Sequence, residues 1–349
     1  MNLYTVAPYK VTIGIPVYQA QEYVRNMMLS ALGQTFSDIE FLVVDDMGED
    51  GSLSEIEVLQ KQHPRGGNIR IIRNEVHRGV GYTRNRIIDE AQGRYLYFLD
   101  SDDMIEPNTI KILYEALQSC KAEVAYASYE VIDKVKHTPT QTYQKPDLKL
   151  LKEDELAHFA FKNSSVFHVS VCNCLIDLTF LRSIGLRFID AMFWEDMAFT
   201  YELVTKVSRA VLLSDITYHY ICRPGSLSHY QDRAQLQKEE IMKNVSTLNY
   251  LKEKCKGLRG KNYLPYLCYN LEMSSFYVVC HVLKHYKRIL PPITHQELRE
   301  VMDFPLRLSE VLCLRKRFSS NLGMWLISHL PISIFVPAMK FAGKLKKVI

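Results

Sequence analysis

Three carboxylates crowd into four residues, Asp100-Ser101-Asp102-Asp103, directly after the apolar run 95–99. Close-set carboxylates repel one another, and a hard cation such as Mg2+ or Mn2+ is what holds them together readily. A second acidic pair, Asp45-Asp46, also follows an apolar run, 39–44. A third, Glu195-Asp196, stands before a helical pattern running to about Val207. The positive end of a helix dipole favours an ionised carboxylate there. Each stretch also has a plain reading. Asp103 or Asn108 could cap the helix after Pro107, and Glu195-Asp196 could be an ordinary acidic first turn.

The elements that must position these acids read as an alternation. Residues 11–16, 39–44, 69–72 and 95–99 are predicted strands, with Pro16 closing the first. Residues 20–32, 53–62 with Ser52 as cap, 84–91 and 109–116 are predicted helices. Short connections between alternating strands and helices give an α/β fold, a mostly parallel sheet with helices on both faces. Carboxyl ends of such strands share one edge, where ligands bind, so Asp45, Asp46, Asp100 and Asp102 should converge. No G-x-G-x-x-G and no G-K-[ST] follows a strand, which argues against a dinucleotide fold and a P-loop. Anion binding then falls to a metal and to basic side chains.

Further along, 124–129 is apolar, 133–149 is polar and expected to be a surface excursion, 151–161 is helical and 166–176 strand-like. Residues 236–254, 263–287 and 296–313 read as helices of a C-terminal appendage. The expected division is 1–110, 111–230 and a helical region 231–349, the first two being the halves that the resemblance described below assigns to donor and acceptor binding.

The 349 residues are 47% hydrophobic and 23% charged, a globular balance. Of the 43 Lys and Arg, seven lie beyond Glu310, where no Asp or Glu is found, so the tail carries +7 and the body about −3. The eight cysteines form no C-x-x-C pair and no zinc spacing, and residues 1–10 lack the pattern of a signal peptide, so reduced thiols in a cytoplasmic protein are expected. Residues 322–339 are apolar but contain Pro331 and Pro337, and basic residues flank them on both sides. That pattern suits a segment lying in a membrane interface better than one crossing it, giving a peripheral contact through 315–349 at the inner face of the plasma membrane.

Taken in order, Ile15-Pro16-Val17-Tyr18, Gln34-Thr35-Phe36, Val43-Val44-Asp45-Asp46, Gly79 with Arg84-Asn85, and Phe98-Leu99-Asp100-Ser101-Asp102-Asp103 resemble the family 2 glycosyltransferases of the GT-A fold. The resemblance implies a hexosyltransferase-type enzyme that moves a sugar, with inversion by direct displacement, from a nucleotide-diphospho-sugar to a hydroxyl of a glycan or lipid-linked glycan in cell-surface polysaccharide synthesis. No nucleic acid is implied as a partner, and the cofactor would be Mg2+ or Mn2+. By the same resemblance Pro16, Val17 and Tyr18 would line the nucleoside pocket, Asp46 would accept from the base, and Arg84 would face the diphosphate. Asp100, Ser101 and Asp102 would hold ribose, metal and diphosphate, with Asp102 and then Asp100 as metal ligands. Asp196 would be the catalytic base, and Arg223 and Ser226 would close over the diphosphate. His219 or His229 is a candidate third metal ligand. The chain departs from the family at Gln19, Gln21, Met47-Gly48, His77 and Ile221, which leaves base and sugar open. The alternatives are a non-catalytic sugar-nucleotide or glycan-binding scaffold, which should show a decayed acid set, and a nucleotidyltransferase, which should carry a glycine- and lysine-bearing loop after its first strand.

Overall fold

The computed structural model describes residues 7–133, 138–167, 170–191, 194–222 and 235–349. The chain forms two compact units. The first comprises 1–156, 168–190 and 199–224, and the second 157–167, 191–198 and 225–349.

The first unit opens with β1 (Tyr9–Val17), α1 (Val24–Leu32), β2 (Ile39–Asp45), α2 (Ser52–Gln62), β3 (Ile69–Arg73), α3 (Val80–Glu90) and β4 (Gly93–Phe98). It continues through β5 (Met104–Ile105), α4 (Thr109–Cys120), β6 (Val124–Asp133), β7 (Pro139–Tyr143), β8 (Leu148–Leu150), α5 (Glu155–Lys162), β9 (Cys174–Asp177), α6 (Leu178–Ser183), α7 (Glu195–Lys206) and β10 (Ala210–Cys222), with α5 and the start of α7 assigned to the second unit. The sheet order is β3-β2-β1-β4-β9-β6-β10-β5. Its first four strands are parallel. Then β9 runs antiparallel between β4 and β6, and β6 pairs β10 in parallel. The expected α/β class and mostly parallel first half are therefore present.

Every residue of β2 is buried, as are the last seven of β1. A strand covered on both faces reads as a near-continuous apolar run instead of an alternation, and the polar residues within these two runs, Thr12 and Glu40, are buried and bonded to each other at 2.6 Å. That is why 11–16 and 39–44 stood out in the sequence. Each fully buried Val, Leu, Ile or Phe contributes about 1.5–3 kcal/mol, so this floor is stiff. Helix α3 lies directly on β1, and a Cβ at Gly14 would come within 2.3 Å of Ile87 Cγ2, so only glycine permits that approach.

Three expectations need correction in this unit. Residues 133–149 include β7 and β8, which pair with β6 and β10. Strand β7 is exposed along most of its length, so its pairing rests on the backbone and leaves no apolar period to read. Among the described residues of 166–176, only 174–176 belong to a named strand, β9. Asn173 takes a left-handed φ of 58°, which ends the extended run before it. Ser52 does not cap α2; its amide and hydroxyl both donate to Asp50 Oδ1, at 3.1 and 2.6 Å.

The second unit holds β11 (Leu236–Gln237), α8 (Lys238–Cys255), α9 (Leu264–His285), β12 (Ile289–Leu290), α10 (His295–Val301), α11 (Leu308–Leu312), α12 (Phe318–Ser328) and α13 (Ile332–Leu345). Its core packs Val279, Cys280, Leu298, Met302, Phe335 and Met339. A buried lysine–carboxyl contact joins α8 to α9: Lys252 Nζ lies 2.8 Å from Glu272 and also donates to the carbonyls of Val301 and Asp303 at 2.9 and 2.8 Å. The single helix expected over 296–313 is two, because Pro305 separates them. Pro331 does separate α12 from α13, whereas Pro337 sits inside α13 without ending it. No helix of the described residues is long and apolar enough to cross a membrane, and all eight cysteines are free.

Candidate active site

Strands β2, β1 and β4 are neighbours and parallel, so their carboxyl ends bring Asp45-Asp46, Pro16-Val17-Tyr18 and Asp100–Asp103 to one edge. Pro16 lies within β1 beyond Gly14, the last residue of β1 paired with β4, so its missing N–H interrupts no β1–β4 bond. Backbone strain gathers at the same edge. Gln19 and Met47 have φ of 48° and 64°, and Gly79 has φ of 86°; non-glycine residues held this way cluster at functional sites.

The acids divide by role. Asp45 is buried and pairs with Arg73 at 2.9 Å; burial pushes its carboxyl up, against the pull of the Gly48 amide and Arg73. Asp46 is buried and heavily engaged. Its Oδ1 accepts from Asn74 Nδ2 at 2.6 Å and from the Arg78 amide at 3.1 Å, and its Oδ2 from the Gly79 amide at 2.8 Å. His77 Nδ1 adds a contact at 2.8 Å. Asp46 thus clamps the turn between β3 and α3. The His77 ring is stacked on Tyr18, centroids 4.1 Å apart, and Tyr18 is exposed. The two rings form a flat polarised platform beside Asp46.

Arg84 is buried on α3 and donates from Nη2 to Asp100 Oδ1 at 2.8 Å, while its guanidinium lies 5.5 Å over the Phe188 ring. The Asn85 side chain holds the Phe188 backbone at both ends, 2.8 Å each way. The adjacent residues Arg84 and Asn85 thus have distinct tasks, facing the carboxylate and fixing the aromatic floor.

Asp103 is the third acid of the cluster and it turns inward. It accepts from the Tyr218 hydroxyl and, at 2.8 Å, from the Ile221 amide, so it ties β10 to the acidic turn. Burial, then the charges of Asp102 and Asp100, push its carboxyl well above the usual range. The sequence offered capping as the plain reading for Asp103; the structure gives it a buried cross-strand bond. The two tyrosines of 210–222 were visible in the sequence, but no spacing rule links them to residue 103.

Asp100 and Asp102 remain on the open side, the first with a side chain 32% exposed and the second half-buried. Two hard oxygen donors whose charges help to raise a neighbouring acid fit a divalent cation that takes its other ligands from water and phosphate. Among the described residues no group of three His, Cys, Asp or Glu side chains is poised to hold a metal. His219 is engaged between Glu106 at 2.6 Å and Glu130 at 3.0 Å, so it is not available as a third ligand. Arg223, Ser226 and His229 lie outside the described residues. In the second unit, Asp196 is the second residue of α7, half-buried, and its Oδ1 accepts from the Met197 amide at 2.8 Å.

Against known proteins, residues 12–185 match the family model described as Glycosyl transferase family 2. The processive diacylglycerol beta-glycosyltransferase of Mycoplasma pneumoniae is 24% identical over 65% of this chain and 67% of its own. The cholesterol galactosyltransferase of Borreliella burgdorferi is 24% identical over 78% of this chain and 77% of its own. S. aureus TarS 1-349 in complex with UDP-GlcNAc shares the fold, with a TM-score of 0.65 at 17% identity over 91% of this chain and 90% of that one. The mannosyltransferase PcManGT of Pyrobaculum calidifontis, solved with GDP-Man and Mn2+, gives a TM-score of 0.54 at 14% identity over 98% and 89%.

Proposed function

Over residues 12–185 the chain belongs to glycosyltransferase family 2, and from that premise we propose an inverting enzyme that moves a sugar from a nucleotide-diphospho-sugar to the hydroxyl of a lipid or lipid-linked glycan. One observation carries the reading: of the three clustered acids Asp100 and Asp102 are partly solvent-exposed, with a buried guanidinium beside Asp100, while Asp103 is buried and bonded to β10. Pro16, Val17 and the Tyr18–His77 platform receive the nucleoside. Asp46 takes part by holding the turn that carries His77, and contacts the base only by exchanging one of its present bonds. Arg84 orients Asp100 and adds positive charge next to the diphosphate. Ser101 and Asp100 reach the ribose. Asp102 and Asp100 would hold Mg2+ or Mn2+, which when bound supplies neutralisation of the leaving diphosphate. Asp196 takes the acceptor proton as the hydroxyl attacks. Arg223 and Ser226 belong to the donor side of the same reading.

The acceptor class draws support from the two relatives named for diacylglycerol and cholesterol. The expected location is peripheral, at the cytoplasmic face of a membrane. The test is a panel of α-linked UDP- and GDP-sugars with Mn2+ and a lipid extract as acceptor, the product anomer being read by NMR. A β-linked product is expected. An α-linked product overturns inversion, and donor binding without any turnover favours the non-catalytic scaffold.

A further inference from the structure

The helical unit contains a cavity of about 450 Å³ whose wall includes Lys284, His285, Lys287, Arg288, His295 and Lys340. These come from the last turn of α9, the residues just after it, the start of α10 and the middle of α13. Cations at a helix C-terminus offset its dipole, which accounts for Lys284 and His285 but not for Lys287, Arg288 or Lys340. Among the described residues no carboxylate is ion-paired with Lys284, Lys287 or Lys340. The nearby acid of α10, Glu297, is 2.6 Å from Lys238. The histidines register the surplus of positive charge. Burial, followed by His285, Arg288 and Lys284, pushes His281 down to about 4, and burial with Arg288 and Lys284 also lowers His285. A cavity of this size suits a small molecule, and its charge suits an anion.

Helix α13 adds a second observation. Its buried side carries Phe335, Val336, Met339 and Gly343. Its outer side carries Ile334, Phe341 and Leu345, exposed by 53, 66 and 70%. Residues 334, 341 and 345 fall on one stripe at helical spacing, with Lys340 and Lys344 along its edge. Lys340 therefore belongs both to the cavity and to the border of the exposed apolar row. Apolar residues beside a lysine edge are the arrangement of a helix lying in a membrane interface.

We propose that this cavity holds the phosphate of an anionic phospholipid headgroup while Ile334, Phe341 and Leu345 enter the acyl boundary. The proposal deepens the peripheral-membrane part of the function above and is independent of the transfer chemistry. It assigns the cavity a phosphate ester as ligand, and it makes α13 a recognition element as well as an anchor.

The test is co-sedimentation of the full chain with three vesicles: phosphatidylcholine alone, phosphatidylcholine with phosphatidylglycerol, and phosphatidylcholine with oleate at matched surface charge. Phosphatidylglycerol should be preferred over oleate. Each basic residue near an anionic surface contributes about fivefold in partition, so Lys284→Gln/Lys340→Gln should lower phosphatidylglycerol binding about 25-fold or more. Lys346→Gln/Lys347→Gln removes the same charge outside the cavity wall, so it should weaken binding to phosphatidylglycerol and oleate vesicles alike and leave the preference for phosphatidylglycerol as in the wild type. Lys284→Arg/Lys340→Arg should retain binding, which separates lost charge from lost fold. A preference for phosphatidylglycerol that survives Lys284→Gln/Lys340→Gln unchanged, or equal binding of the wild type to oleate and phosphatidylglycerol vesicles, overturns the cavity as a headgroup site. Saturable binding of soluble glycerol phosphate without vesicle binding would mean that the source is a free phosphate ester and would overturn the lipid. Donor hydrolysis in lipid-free solution is read in parallel, so loss of vesicle binding with turnover intact counts against the membrane reading alone.

Discussion

Asp100, Asp102 and Asp103 are adjacent in sequence yet should respond in opposite ways to the same kind of substitution. Asp103 accepts from the Tyr218 hydroxyl and the Ile221 amide. Tyr218 is 3% exposed, so Asp103→Ala strands a buried hydroxyl at about 1–3 kcal/mol and weakens a half-buried amide by about 1 kcal/mol more. The total of about 2–4 kcal/mol corresponds to a fall in Tm of roughly 4–16 °C for a domain of this size. Asp103→Asn keeps an acceptor for the Ile221 amide and offers Tyr218 a donor, so it should cost under about 1 kcal/mol and leave kcat within a few-fold. Asp102→Asn should do the reverse, with Tm nearly unchanged and most turnover lost, because an amide is a poorer ligand for a hard cation. The assays are differential scanning calorimetry and donor turnover with Mn2+, run on the same preparations. If Asp103→Asn loses turnover as deeply as Asp102→Asn while Tm stays fixed, the division between a structural and a ligating acid is wrong.

Chelation with EDTA should abolish turnover of the wild type, and full activity in EDTA would remove the metal from the account. Asp196→Asn should lower kcat by about 10²- to 10⁴-fold with donor affinity little changed, and loss of donor affinity at an unchanged maximal rate would place this residue on the donor side. In the helical unit, burial outweighs the attraction of Lys252 and raises the Glu272 carboxyl to about 8. A carboxyl raised on folding stabilises fully below its unfolded value and loses that contribution as pH rises through the folded one. Stability should therefore decline between about pH 4.5 and 8, a slope that Glu272→Gln should flatten in urea titrations; an unchanged slope refutes the assignment.

The floor of the site was legible because its strands are covered on both faces. Residues 11–16, 39–44 and 95–99 announce themselves as near-continuous apolar runs, and the acids that follow the second and third mark the ligand edge. Less of the site's wiring could be read. The resemblance gives Asp46 a bond to the base, but nothing in the sequence shows that its oxygens also accept from Asn74, Arg78 and Gly79, contacts fixed by how the turn after β3 folds back. The Tyr18–His77 stack joins residues 59 positions apart, and Asp103 reaches Tyr218 across 115. Pairings of that span are made by the sheet order and leave no local periodicity. Strand β7 was missed for a different reason, since an exposed edge needs no apolar pattern. The tail gave its composition but not its geometry: Pro337 was expected to break the helix, and instead α13 runs through it and carries an apolar row on its outer face.

The central claim is that two open carboxylates at the end of β4 bind a nucleoside diphosphate through a divalent cation. Isothermal titration of UDP and GDP into the wild type and Asp102→Asn, with and without Mn2+, tests it without knowledge of sugar or acceptor. One of the two nucleotides should bind the wild type at least tenfold more tightly with Mn2+, and Asp102→Asn should lose that gain. Binding that is indifferent to Mn2+, or equally strengthened by it in both proteins, would contradict the account.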